Sequence, residues 1–133
     1  MTGQTPWPHH MPIRYTRSDR LKRAVITITG PFDSREVMAC VEERHRAEGA
    51  WSYGLLYDLR HMTGEPDLAT LKEFATRIVP KPGEPPRGRV AILADDPAIY
   101  SRACTYAVLA KAHAAIAVFR HEDEAERWLS EGP

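Results

Sequence analysis

Three short apolar runs, Gly54 to His61, Arg89 to Asp96 and Ala115 to His121, each end in a cluster of charged residues. That is the pattern of buried strands emerging at a polar rim. Ahead of them, Ile13 and Tyr15 alternate with polar residues, Ser18-Asp19 supplies a turn and the β-branched run Ala24 to Thr29 follows, which predicts an antiparallel hairpin stopped by Gly30-Pro31. Asp33 and Glu36 have capping-box spacing and open a helix whose Val37, Cys40 and Val41 share one face and which Gly49 ends. A loop containing Gly64 and Pro66 separates the strand through Leu55 and Leu56 from a second helix, capped by Asp67, with Leu68, Leu71, Phe74, Ala75 and Ile78 as its inner stripe. Pro80 to Pro86 cannot continue that helix and reads as a stiff surface connection.

After the strand Val90 to Leu93, Asp96 at the N-cap and Pro97 at the first helical position open a third helix marked by Ile99, Ala103, Tyr106, Ala107 and Ala110. The last strand, Ile116 to Phe119, leads into a helix with Glu122, Asp123 and Glu124 in its first turn, docked by Ala125, Trp128 and Leu129. From Ala24 onward the order is four βα units, and right-handed crossovers make their strands parallel. The expected fold is therefore an α/β single domain over residues 13–133. It has a mixed, mostly parallel sheet of about five strands, an antiparallel N-terminal strand, about four helices, and cover on both faces. Residues 1–12, with three prolines, read as a flexible tail from which Trp7 can fold back.

Composition narrows the class of function. A chain of 133 residues with 43% hydrophobic and 27% charged residues has the profile of one ordinary globular domain, able to bury a core without metal or disulfides. Its formal net charge of zero argues against nucleic acid as the main partner, since neutralisation of phosphates dominates such affinity. Cys40 and Cys104 lie inside predicted helices without a CxxC or Cys/His neighbour and are expected to be buried thiols. The first residues have no basic region followed by an apolar stretch, and no run is long enough to span a bilayer, so no integral membrane segment and a cytoplasmic placement are expected.

The β-β-α order followed by repeated βα units, with Leu55 to Asp58 ending the third strand, resembles the STAS domain of anti-sigma-factor antagonists and sulfate-transporter cytoplasmic domains. More closely, Leu56 to Arg60, Arg89 to Ala94 and Val118 to Leu129 look like the SpoIIAA-like, STAS-related bacterial proteins, over residues 13–131. The resemblance implies a non-enzymatic regulatory or binding module that acts through a protein partner or a small, lipid-like ligand. In the antagonists an Asp-x-Ser-Gly string after the third strand carries a phosphorylated serine. Here Asp58 matches the aspartate, but Leu59 to Gly64 follow, so the hydroxyl beside a glycine is Thr63. Thr63 is the candidate phosphoacceptor, where phosphate would place nearly two negative charges at the start of the second helix. A turn shaped by its hydroxyl is the plainer role.

In parallel sheets ligands bind beyond the carboxyl ends of the strands. Thr29, Asp58, Arg60, His61, Asp95, Asp96, Arg120 and His121 fall at that edge. Asp58, Arg60, His61 and Arg120 are the candidate ligand- or partner-binding residues, with the arginines as donors to an anionic group. The alternative is a small enzyme at the same rim, with Asp58 or His61 as acid or base. Asp96 is explained as an N-cap, and charged residues after buried strands are also simply where a chain meets water.

Other chemistries lack their motifs. No H-x-x-x-H or carboxylate spacing joins His9-His10, His61, His113 and His121 into a metal set, no glycine-rich string precedes a helix, and no G-x-S-x-G surrounds Ser101, so no metal or cofactor is expected. A receiver-domain reading fails because Asp95-Asp96 comes late and Arg120-His121, not a lysine, follows the last strand. Arg14, Arg17, Arg20, Lys22 and Arg23 make the hairpin basic, as edge strands often are to deter pairing. The alanine-rich third helix admits a monomer or a homodimer.

Overall fold

The computed structural model describes residues 13–131. The expected loose tail, with Trp7 and His9-His10, lies outside them. The sheet runs β1 (Ile13–Ser18), β2 (Arg23–Pro31), β3 (Gly54–Thr63), β4 (Val90–Leu93) and β5 (Ile116–Phe119) in that spatial order, with β1 antiparallel to β2 and every other pair parallel. Four helices connect and flank it: α1 (Ser34–Ala39) with its π-helical continuation Cys40–Arg46, α2 (Leu68–Arg77), α3 (Pro97–Ala110) and α4 (Glu122–Glu131). The βα order read from the chain is the order observed.

The helix starts are where the capping residues place them. Asp33 accepts from the Glu36 N–H (3.1 Å), Asp67 from that of Thr70 (2.9 Å), and Asp96 from those of Ala98 and Ile99 (2.9 and 3.2 Å). Each satisfies a donor that the first helical turn leaves unpaired.

Strand alternation sorts the core into two unequal layers. Ile26, Ile28, Leu55, Val90 and Ile92 face α1, α2 and α3, where Val37, Val41, Leu71, Ile99 and Tyr106 meet them. Leu56, Ala91 and Leu93 face the other way, against Ala125 and Leu129 of α4. Both faces are covered as expected, but three helices lie on one and a single helix on the other. β4, between β3 and β5, is wholly buried, while β5 has only β4 as a strand partner among the described residues and is half-buried along its length.

Several local expectations need correction. Gly30-Pro31 ends β2 but belongs to it: both residues pair with the end of β3, opposite Met62 and Thr63, a terminal position where a missing proline N–H costs little. Leu68 is 44% exposed, because at the first position of α2 it points outward, and the inner stripe begins at Leu71. The two cysteines are half-buried, not buried.

The first helix also changes winding at Cys40, where i→i+5 bonds such as Ala47 N–H to Glu42 O (3.0 Å) replace the α pattern. It has ended by Ala47, before Gly49. The wider turn sets positions four and five residues on from Val41 astride one face, so the consecutive His45 and Arg46 are both buried.

Candidate functional site

The segment from Asp58 to Thr63, expected as a loop, is the outer half of β3. Between the pairs Thr27–Asp58 and Thr29–His61 the strand carries one residue more than its partner, a β-bulge. The extra residue resets the alternation, so Leu59 and Met62, three apart, both face the larger core while His61 is exposed. A hydrophobic Leu59-x-x-Met62 spacing in a strand is the one signal in the sequence that hints at this.

Asp58 and Arg60 lie on the opposite side of the bulged strand, toward α4. One carboxylate oxygen of Asp58 accepts from the Arg60 backbone N–H (3.1 Å) and Nε (3.0 Å), and the other accepts from Nη2 (2.9 Å), which also donates to Glu122 Oε1 (3.2 Å). The Arg60 hydrogen bonds hold the Asp58 carboxyl below the usual carboxylate range, and Asp58 in turn raises the guanidinium further above its own. Asp58 is therefore an anion held by three donor contacts from one residue, with its proton affinity lowered. Glu122, read from sequence only as helix-start charge, is the third member of this group.

The structure does not bring Arg120 to that group. Its guanidinium lies 4.0 Å from the ring centroid of Tyr100, on the α3 side of the sheet, so the two arginines flank the rim from opposite faces. Thr63 is the last residue of β3, with an exposed side chain and a carbonyl that accepts from Phe32 N–H (3.1 Å). Gly64 then turns the chain at φ +72, a conformation that suits glycine.

Two hollows lie elsewhere, and Asp58, Arg60, His61 and Arg120 line neither. One is an apolar cavity of about 70 Å³ between the sheet and α1, α2 and α3, walled by Ile28, Leu59, Met62, Phe74 and Tyr106 among others, with Arg102 and Pro66 at its edge. The other is a polar groove of about 450 Å³ between the first helix and α2, lined by Ser34, Arg35, Glu42, Glu73 and Arg77 among others. Among the described residues no three His, Cys, Asp or Glu side chains are grouped to hold a metal ion, and no helix is long and apolar enough to cross a membrane.

The most developed polar network sits at the other end of the strands. Trp51 is sandwiched between the guanidiniums of Arg46 (4.1 Å) and Arg87 (4.0 Å), with the fully buried His45 ring 6.1 Å away. Arg46 donates to both Glu84 oxygens (2.6 and 2.5 Å), to Glu42 (3.1 Å) and to the carbonyls of Arg77 and Val79 (2.7 and 2.9 Å). His45 Nδ1 shares a hydrogen bond with the Tyr15 hydroxyl (3.0 Å), while its Nε2 and the Arg87 Nε and Nη1 are buried without a partner among the described residues. Burial, then the charges of Arg87 and Arg17, push the imidazole pKa down to about 4, so His45 is neutral. The run Glu42 to Arg46 followed by a lone Trp51 was the sequence signal for this cluster, and it resembles an ordinary charged helix end.

No family model matches the chain, and no curated protein matches it in sequence. Solved structures do match in shape. An uncharacterized protein from the DUF3478 family with a SpoIIAA-like fold, from Shewanella loihica PV-4, superposes with a TM-score of 0.58 at 15% identity, over 88% of this chain and 91% of that one. An anti-sigma factor antagonist from Mycobacterium paratuberculosis superposes with a TM-score of 0.56 at 20% identity, over 88% of this chain and 92% of that one. At these identities the likeness establishes the fold: the chain has the SpoIIAA-like α/β architecture that its βα order implied.

Proposed function

We propose that this protein is a non-enzymatic regulatory module that binds a protein partner with its carboxyl-end rim, through Asp58, Arg60, His61 and Arg120. The observation that carries the reading is the state of Asp58 and Arg60: they are locked to each other and to Glu122 as a rigid charged surface, outside both hollows. A pre-organised, half-buried pair at the rim suits recognition, whereas the enzyme alternative needs a free base in a cleft. The solved neighbour that is an anti-sigma factor antagonist supports a protein partner by fold analogy.

Thr63 stands beside this surface with its side chain exposed, and a phosphate there would add negative charge four residues before the Asp67 cap. The test is photocrosslinking in the native host from position 61, with position 127 on α4 as control. The expected result is one protein adduct at position 61 that Arg60→Ala abolishes and position 127 does not give. Equal labelling at both positions, or an adduct indifferent to Arg60→Ala, would overturn the reading.

A second reading, that the domain also takes a small apolar ligand, is favoured by the cavity beneath the bulge.

A further inference from the structure

The apolar cavity has one charged residue among those that line it, Arg102, on α3 one residue before the cavity-lining Ala103. Its Nε donates to Glu65 Oε1 at 3.2 Å, and both side chains are more than a third exposed (37% and 40%). Such a half-solvated pair contributes little to stability and opens easily. Glu65 sits between Gly64, which makes the turn at φ +72, and Pro66, which lines the cavity. The chain thus already places a carboxylate of its own on the guanidinium at the edge of an apolar hole.

Resting on the second reading above, we propose that the cavity takes the alkyl tail of a small aliphatic monocarboxylate, whose carboxylate replaces Glu65 on Arg102. Size sets the tail. A cavity of about 70 Å³ is roughly half that of a dry cavity that admits benzene, which fits an unbranched chain of about four carbons. Charge sets the head. The Asp67 carboxylate is committed to capping α2 through Thr70 N–H, which holds its carboxyl low, and the charge of Arg102 adds to that lowering, so Asp67 lies within electrostatic reach of the guanidinium. A single negative charge can exchange for Glu65, while a dianion such as phosphate would meet Asp67. Met62 and Leu59, brought to the same side by the bulge, form part of the wall around the tail.

The experiment titrates isotope-labelled protein with sodium pentanoate and, separately, with pentan-1-ol, following the methyl resonances of Met62, Ile92 and Ala103. Pentanoate is expected to bind about tenfold more tightly than the alcohol, the difference that one charge-assisted contact supplies. Arg102→Gln should bring pentanoate down to the alcohol. Glu65→Gln, by removing the internal competitor, should tighten pentanoate and leave the alcohol unchanged.

Ala103→Phe, with its fold checked by circular dichroism, should abolish both. If the two probes bind alike and Arg102→Gln changes neither, the carboxylate assignment is wrong and the apolar-ligand reading survives. If neither probe shifts the cavity methyls, or Ala103→Phe leaves binding intact, both fall together.

Discussion

At the carboxyl end of the sheet Asp58, Arg60 and Glu122 meet at the surface, whereas at the amino end His45, Arg46, Trp51 and Arg87 are stacked largely out of water. Both ends are rich in charge, but the charge does different work. A guanidinium with a 4% exposed side chain, five hydrogen bonds and an aromatic face has exchanged its hydration for a fixed set of partners, and removing it strands all of them. The Arg60 side chain, one-third exposed, can fall back on water. The amino end therefore holds the fold, and the carboxyl end contributes little to holding it.

The contrast can be broken most decisively at Arg46. Arg46→Ala should cost about 3–5 kcal/mol in urea denaturation, because Glu84 and two carbonyls lose their donor in a buried setting.

Next in size is a pH effect from His45. Its folded pKa of about 4 lies below the ordinary 6.5, so the unfolded chain takes up the proton first. Stability is full above pH 6.5, falls as pH drops from 6.5 toward 4 by about 3 kcal/mol in all, and levels off below. The carboxyls held low, Asp58, Asp67 and Glu84, start from ordinary values of 3.8 to 4.5, so their losses begin only where that of His45 is nearly complete. His45→Gln should flatten the 6.5-to-4 window, and a profile unchanged by that substitution would refute the assignment.

A third test probes how closely the amino end is packed. Gly88 donates to the Trp51 carbonyl (3.0 Å), and a Cβ there would run into the Tyr53 carbonyl, which is backbone and cannot swing aside. Gly88→Ala should destabilise by about 1–3 kcal/mol. The smallest effect belongs to the rim: Arg60→Ala should change stability by less than about 1 kcal/mol, read from the same urea curves. A loss at Arg60 as large as that at Arg46 would erase the distinction between the two ends.

Periodicity made the fold legible because alternation and helical spacing respond to burial, and burial is what the sheet and helices organise. Ile26, Leu55, Val90 and Ile99 could be assigned to the core, and Asp67 and Asp96 to caps, from local pattern alone. The site was half legible. Asp58 and Arg60 were singled out, but their mutual engagement, and Glu122 as the third partner, depend on α4 returning to the sheet 62 residues after Arg60. The strand beyond Asp58 was missed because the bulge resets the period of two that identifies a strand. His45 and Arg46 were missed because they become neighbours on one face only after the helix changes to i→i+5 winding, and nothing in Glu42 to Arg46 announces that change.

The lopsided cover of the sheet has its own outcome. Ala125, Trp128 and Leu129 of α4 meet a small patch around Leu56, Ala91, Leu93 and Phe119, aided by Arg23 to Glu126 and by Arg89 to the Trp128 carbonyl (2.9 Å). A helix held by so little is the natural first unit to detach in native-state hydrogen exchange. Because Glu122 belongs to that helix and also grips Arg60, each detachment releases one of the two carboxylates on Arg60. The stiffness of the rim is thus inherited from the docking of the last helix.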